Sequence, residues 1–299
     1  MPTALIYALT VLIWGSTWIM IKYQLGVVPQ EVSIVYRFAL AALALVVLAI
    51  VQRRRLTVPL RFLPAVALQG VFMFCANYYF VYHGAAYIAS GLIAVLFTSI
   101  VILNAVNERL FFGKRIQPST LIAGALSLCG VALMFWPEVS ALSLDDDAVK
   151  GFALVLTGAY MASLGNMAAV LSTRRKLPVI AVNAQGMALG ALCSALFAVV
   201  TNKPFIVDWQ PAYIGSLLFL ALPGTAIAFG LYLQLIERIG PTKASYTTVM
   251  LPVVALLIST VFEGYEWSAL AISGLAIALV GNVLALAAKA SPAPKSPAP

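Results

Sequence analysis

The chain has 299 residues, is 63% hydrophobic and only 9% charged, and carries a formal net charge of +8. Soluble domains hold roughly 25% charged residues, so this composition excludes a surface that faces water on all sides. It also turns the basic excess into a question of membrane orientation rather than of nucleic-acid binding. A spanning helix needs about 20 apolar residues to cross a ~30 Å hydrocarbon core, so the length reads as a number of crossings.

Apolar runs predict ten such helices, near residues 3–25, 31–52, 62–83, 87–107, 117–136, 149–173, 178–200, 210–236, 242–262 and 267–288. The first has no basic segment ahead of it and is too long for the apolar region of a signal peptide, so it is expected to stay as a helix. It offers Trp14, Ser16, Thr17 and Trp18 near mid-span. The second holds Arg37, the one basic residue inside a span. It could bind a substrate carboxylate, but the expected behaviour is to snorkel outward along its aliphatic stem.

The third run is the richest in polar groups: Asn77, Tyr78, Tyr79, Tyr82 and His83. Tyr78 and Tyr82 are four apart, as are Tyr79 and His83, so they cover one broad helical face. Asn77, Tyr78 and Tyr79 suit an internal cavity. Tyr82 and His83, near the outer end, suit an interfacial aromatic belt equally well. The fourth run carries Thr98, Ser99 and Asn104, and the sixth Tyr160, Ser163 and Asn166. The eighth has Pro223-Gly224-Thr225 and then Tyr232 and Gln234, and the ninth has Tyr246, Thr247, Thr248 and Pro252. Proline in a span frees a carbonyl that packed neighbours or a cavity must satisfy. The fifth and tenth runs differ, with Gly124, Ser127 and Gly130 in one and Gly274, Ala278 and Gly281 in the other. Small residues at such intervals let helices approach closely. These two runs are expected to form scaffold, or the contact of a weak homodimer if the chain is not a monomer. The tail 290–299, rich in Pro, Ala and Ser, is expected to be disordered.

With both termini in the cytoplasm, 14 of the 18 Lys and Arg residues fall on the inner side, and only Lys22, Lys150 and Lys203 fall outside. The positive-inside rule supports that orientation. All ten acidic residues sit in loops or at helix ends. Proton-driven pumps usually place acids or histidines in a relay at depth, so facilitated transport or exchange is expected, or proton coupling by an unusual route. Cys75, Cys129 and Cys193 lie inside apolar runs without metal or redox spacing. The chain has one histidine, no Gly-x-Ser-x-Gly and no phosphate loop, so neither a catalytic role, a metal nor a cofactor is expected.

The halves resemble each other. Phe38-Ala39-Leu40-Ala41-Ala42-Leu43 aligns with Met187-Ala188-Leu189-Gly190-Ala191-Leu192, Ala89-Ser90 with Ala244-Ser245, Glu108 with Glu263, and Gly130 with Gly281 after a short gap. Two units are expected, 1–140 and 141–289. Each has an odd number of helices, so the second enters the membrane inverted, and the charged loops alternate accordingly. The expected fold class is an all-α integral membrane protein of ten helices, two inverted five-helix repeats around a central cavity. Inverted repeats with a site between them are a secondary-transporter pattern.

At this point the sequence resembles the ten-helix EamA-type branch of the drug/metabolite transporter superfamily, over nearly the whole chain. The carriers are Trp14-Gly15-Ser16, Ala89-Ser90 and Glu108 in the first half. In the second they are Gly240-Pro241-Thr242-Lys243-Ala244-Ser245, Leu251-Pro252-Val253 and Glu263. The family often has proline in helix four, where this chain reads Ser99-Ile100-Val101 and has none to kink the helix. The resemblance implies export of amino acids, including aromatic ones, or of related small metabolites across the bacterial inner membrane. A nucleotide-sugar or organophosphate exchanger of the same fold is the alternative, although such cargo would want more deep basic residues than Arg37 alone. The residues expected to meet the small-molecule substrate are Trp14, Asn77, Tyr78, Tyr79, Tyr82, His83, Thr98, Ser99, Tyr160, Asn166, Tyr232 and Tyr246.

Overall fold

A segment surrounded by lipid must satisfy every backbone N–H and C=O internally, and a helix does so within one stretch of chain. The computed structural model describes residues 1–24, 26–84, 86–88, 90–136, 140, 146–262 and 267–287. Among these residues every regular element is helical. In chain order they are α1 (Thr3–Lys22), α2 (Gln30–Val51), α3 (Leu60–Gly84), α4 (Ser90–Thr98 continued by Ile100–Phe112) and α5 (Pro118–Met134). There follow α6 (Asp146–Arg174), α7 (Val179–Val200), α8 (Pro211–Ser245), α9 (Thr247–Phe262) and α10 (Ala269–Ala287). Seven helices are long and apolar enough to cross a membrane, and Thr3–Thr17, Pro118–Met134 and Thr247–Ile258 are shorter apolar helices. The tail 290–299, Lys289 and Lys295, the repeat matches at Ala89 and Glu263 and the acids Glu138, Asp145 and Glu266 lie outside the described residues, as do the side chains of Trp18 and Lys22.

Local chemistry sets the ends. Pro29 and Pro178 stand directly before α2 and α7, where a missing N–H costs no helical bond. Each of these helices has 22 residues. Each ends on a left-handed residue, Arg53 at φ 51° and Asn202 at φ 53°. In both, an N–H reaches back to close the end: Arg54 N to Ala49 O and Lys203 N to Ala198 O, each 2.8 Å. Their outer faces expose Leu43, Val47 and Ile50 on α2 and Leu192, Leu196 and Val199 on α7.

Three helices depart from straight α geometry. Phe72–Ala76 in α3 and Leu222–Ile227 in α8 form π segments. In α4 the helix breaks at Ser99, whose N–H bonds Leu96 O at 3.0 Å in a tighter turn. A break therefore exists where no proline supplies one. A sharper kink lies inside α8 at Gly240, with φ 80° and ψ 163°, a region that essentially only glycine occupies. A Cβ there would meet no closer atom than Lys114 Nζ at 3.6 Å. Gly240→Ala should therefore lose about 1–3 kcal/mol through backbone strain alone, visible as a lower melting temperature of the detergent-solubilised protein.

In packing, α2 lies along α7 and α5 along α10; α3 runs against α6 and α7, α1 against α8 and α9, and α4 against α6. The small-residue stripes of α5 and α10 face each other. A Cβ on Gly130 would come within 2.4 Å of Ala278 N, and one on Gly281 within 2.6 Å of Ser127 Oγ. The stripes are thus used within the chain as scaffold.

Candidate functional site

The site is built from the π segment of α8 outward. A π turn leaves carbonyls without their usual partners, and Pro223 removes a donor as well. Side chains fill the gap. Trp14 Nε1–H donates to Gly224 O at 3.1 Å, and the Thr225 hydroxyl donates to Leu220 O at 2.7 Å. With its proton spent, Thr225 Oγ1 accepts from Arg37 Nε at 2.8 Å. One distorted turn thereby fixes an indole and a guanidinium beside each other.

Arg37 does not snorkel. It is 2% exposed, with Cζ 4.9 Å from the Tyr78 ring centroid and 5.7 Å from that of Phe38. Nη2 donates to Tyr78 OH at 3.5 Å, and Nη1 has no hydrogen-bond partner. The physical reason is its position. It lies on the face of α2 that packs against the α8 π segment and the second half of α3, so the aliphatic stem has no route to the interface. Glu31, one and a half turns earlier, does not serve it: Glu31 Oε1 lies 3.2 Å from His83 Nε2. Among the described residues Arg37 forms no ion pair.

The guanidinium borders a cavity of about 130 Å³, close to the ~150 Å³ that accommodates benzene in an engineered protein core. Seven helices contribute to its walls. Trp14, Thr17 and Ile21 come from α1, Arg37 from α2, Met73, Asn77, Tyr78, Val81 and Tyr82 from α3, and Phe97 and Ile100 from α4. Ala162 and Asn166 come from α6, Phe229 and Tyr232 from α8, and Thr248 and Leu251 from α9. Trp14 stands at the centre of an aromatic group, 5.0 Å from Phe229 and 4.9 Å from Tyr232. Thr17 and Thr248 spend their hydroxyl protons on Trp14 O and Ser245 O. They present only lone pairs to a ligand.

Of the twelve residues expected from sequence, the structure brings Trp14, Asn77, Tyr78, Tyr82, Asn166 and Tyr232 to this cavity. The others lie elsewhere. Tyr79 and His83 turn to the adjacent face of α3, Tyr79 packing on Phe197 of α7 at 4.7 Å and His83 bonding Tyr79 O and Glu31. Thr98 and Ser99 sit at the α4 break and leave the wall to Phe97 and Ile100. Tyr160 is 40% exposed on the outer surface of α6. Tyr246 is fully buried behind the cavity, its hydroxyl on Thr120 O of α5 and its carbonyl held by Asn282 of α10. Besides Arg37, sequence reasoning missed the apolar wall residues, among them Met73, Val81, Ala162 and Phe229. Each of those named lies three or four residues from a polar wall residue, so helical spacing would have found them.

At one end of the cavity the helices are tied by polar contacts. Asn166 donates to Asn104 Oδ1 at 3.3 Å, Asn104 to Pro241 O at 3.2 Å, and Asn107 to Ser163 Oγ at 2.8 Å. Buried Glu108 accepts from Thr242 and pairs with Lys114 at 2.7 Å. These contacts join α4, α6 and the last turns of α8, beyond the Gly240 kink. Among the described residues no cluster of His, Cys, Asp and Glu could hold a metal.

Known proteins share this design. A solved crystal structure superposes with a TM-score of 0.80, covering 95% of this chain and 96% of its own, at 16% identity; at that identity it speaks for the fold alone. The uncharacterized transporter YoaV of Bacillus subtilis is 24% identical over 82% of this chain and 83% of its own. The uncharacterized inner membrane transporter YedA of Escherichia coli K12 is 27% identical over 90% and 87%. A Salmonella typhimurium protein named "Probable amino-acid metabolite efflux pump" is 24% identical over 91% of each chain. The EamA-like transporter family matches residues 1–136 and 149–287. With that match over most of its length, the chain belongs to the EamA-like transporter family and is a multi-pass membrane transporter.

Proposed function

We propose that the chain is a secondary transporter that exports amino acids and related small metabolites with an apolar body across the bacterial inner membrane. It works by alternating access between two inverted five-helix halves, with both termini in the cytoplasm. One observation carries this reading. The cavity is walled by α1 and α6, by α3 and α8, and by α4 and α9, which are the equivalent helices of the two units; α2 adds Arg37 alone, and among the described residues α5, α7 and α10 add none. The packing has the same pairing, since α2 meets α7 and α5 meets α10, and the α1–α8 contact mirrors α6–α3. The two π segments fall in α3 and α8. The helix bounds and chain-end bonds of α2 and α7 repeat at one constant offset. Such symmetry is what exposes a midplane site to each side in turn.

Amino-acid-derived cargo is favoured by an aromatic wall with a single cation, and by the name of the Salmonella typhimurium relative. A sugar phosphate would need several fixed cations to offset its charge. The test is counterflow in liposomes bearing the purified protein, with labelled phenylalanine, threonine and a sugar phosphate. Phenylalanine should exchange fastest, and preference for the phosphate would overturn the reading. Imposing a pH gradient should give no accumulation above equilibrium. Strong gradient-driven uptake would replace exchange with proton coupling.

A further inference from the structure

A guanidinium enclosed in a membrane-spanning helix is costly unless an anion compensates it. Among the described residues the buried carboxylates are committed elsewhere, Glu31 to His83 and Glu108 to Lys114. None of the residues that wall the cavity is acidic. Arg37 is held from one side by the Thr225 hydroxyl, touches Tyr78 OH only at 3.5 Å, and leaves Nη1 without a partner. Thr225 therefore fixes the Nε edge, and the two Nη groups are the part of the fork available to a ligand. We propose that Arg37 is the anion-recognition residue of the cavity. The preferred solute is then an apolar monocarboxylate without a free α-ammonium: an α-keto, α-hydroxy or N-acyl acid with an aromatic or branched body. This inference narrows the cargo of the transport reading above from amino acids to their ammonium-free relatives; it rests on that reading for the solute's passage, but not for its binding.

The charge requirement comes from the ligand's own geometry. A carboxylate meets a guanidinium through two parallel N–H···O bonds, which Arg supplies better than any other side chain. In an amino acid the ammonium sits on the carbon next to that carboxylate. It would be drawn toward Arg37 with no acid to receive it, only the neutral oxygens of Thr17, Thr248 and the tyrosines. Removing or acylating the ammonium removes the repulsion and keeps the bidentate contact. A phosphate dianion, by contrast, would be left half compensated. The apolar body fits against Trp14, Phe229 and Tyr232.

Calorimetric titration of the full chain in detergent at neutral pH, with four probes sharing one ring, decides the point. The probes are 3-phenylpropionate, phenylalanine, phenethylamine and phenyl phosphate. The carboxylate should bind at least about tenfold tighter than phenylalanine, with the amine and the phosphate weaker than both. Arg37→Gln should abolish that preference, and Arg37→Lys should restore part of it. The proposal is overturned if phenylalanine binds as tightly as 3-phenylpropionate, if the amine or the phosphate binds tighter, if Arg37→Gln leaves the order intact, or if the unmodified protein binds none of the four. The wild-type ranking needs no variant to fold. If that ranking holds while liposomes move none of these solutes, the transport reading fails and the recognition role of Arg37 stands.

Discussion

Gly130→Val is expected to prevent α5 and α10 from assembling and to leave little monodisperse protein after solubilisation. The added atoms have nowhere to go. A Cβ at position 130 would lie 2.4 Å from Ala278 N, 2.7 Å from Gly274 O and 2.8 Å from Ala278 Cα. These are backbone atoms of a helix, so they move only if α10 moves as a whole. Because a Cβ on Gly274 of α10 would likewise lie 2.6 Å from Met134 N and from Gly130 O, the seam cannot open at one point without opening along its length. Overpacking in a dense core typically costs about 1–3 kcal/mol, and valine adds two methyl groups beyond the Cβ already in conflict. Loss of the monodisperse peak in size-exclusion chromatography is the readout. Gly215→Ala is the control, because a Cβ there meets nothing within 4 Å and alanine is the better helix former. If both variants behave alike, the close α5–α10 approach is not what holds this end of the molecule.

The second large effect is expected at Thr225. Thr225→Val keeps the shape and removes the hydroxyl. That hydroxyl has two duties: it satisfies Leu220 O inside the π segment and it accepts from Arg37 Nε. Valine deprives a buried carbonyl of its donor and a buried cation of its shortest hydrogen bond. An unsatisfied buried group costs about 1–3 kcal/mol, and more when charged. The melting temperature should fall by several degrees, and exchange of carboxylate-bearing solutes should fall about tenfold or more, since 1.4 kcal/mol is a factor of ten. Thr225→Ser keeps the hydroxyl and should retain most of both. Equal behaviour of the serine and valine variants would mean that the hydroxyl does not position the guanidinium.

Much of this architecture was legible in the residues because it rests on length and composition. Each expected span falls on a helical segment. Six residues of α2 align with six of α7, and the two helices share a length of 22 residues and the same chain-end bond. The cavity was only half legible, for a geometric reason. Spacing by four groups Tyr78 with Tyr82 and Tyr79 with His83, but it does not say which pair faces inward. The structure turns the first pair to the cavity and the second to α2 and α7. Arg37 was misjudged because snorkelling is a question of where neighbouring helices stand, which composition does not contain. Tyr160 and Tyr246 were chosen for depth, and depth does not distinguish the cavity from the lipid face or from the α5–α10 seam. The π segment at Phe72–Ala76 carries no proline and no polar residue to announce it.

The two π segments also set the phase of the cavity wall. Asn77, Tyr78, Val81 and Tyr82 follow immediately after one, and Phe229 and Tyr232 after the other. A π turn contains one residue more than the α turn it replaces, and each residue advances a helix by about 100°. Shortening either segment by a single residue would rotate everything beyond it by that angle and swing its aromatic rings out toward the neighbouring helices. What the solute meets is therefore fixed less by which residues the chain carries than by two local miscounts in the winding of α3 and α8, one in each half.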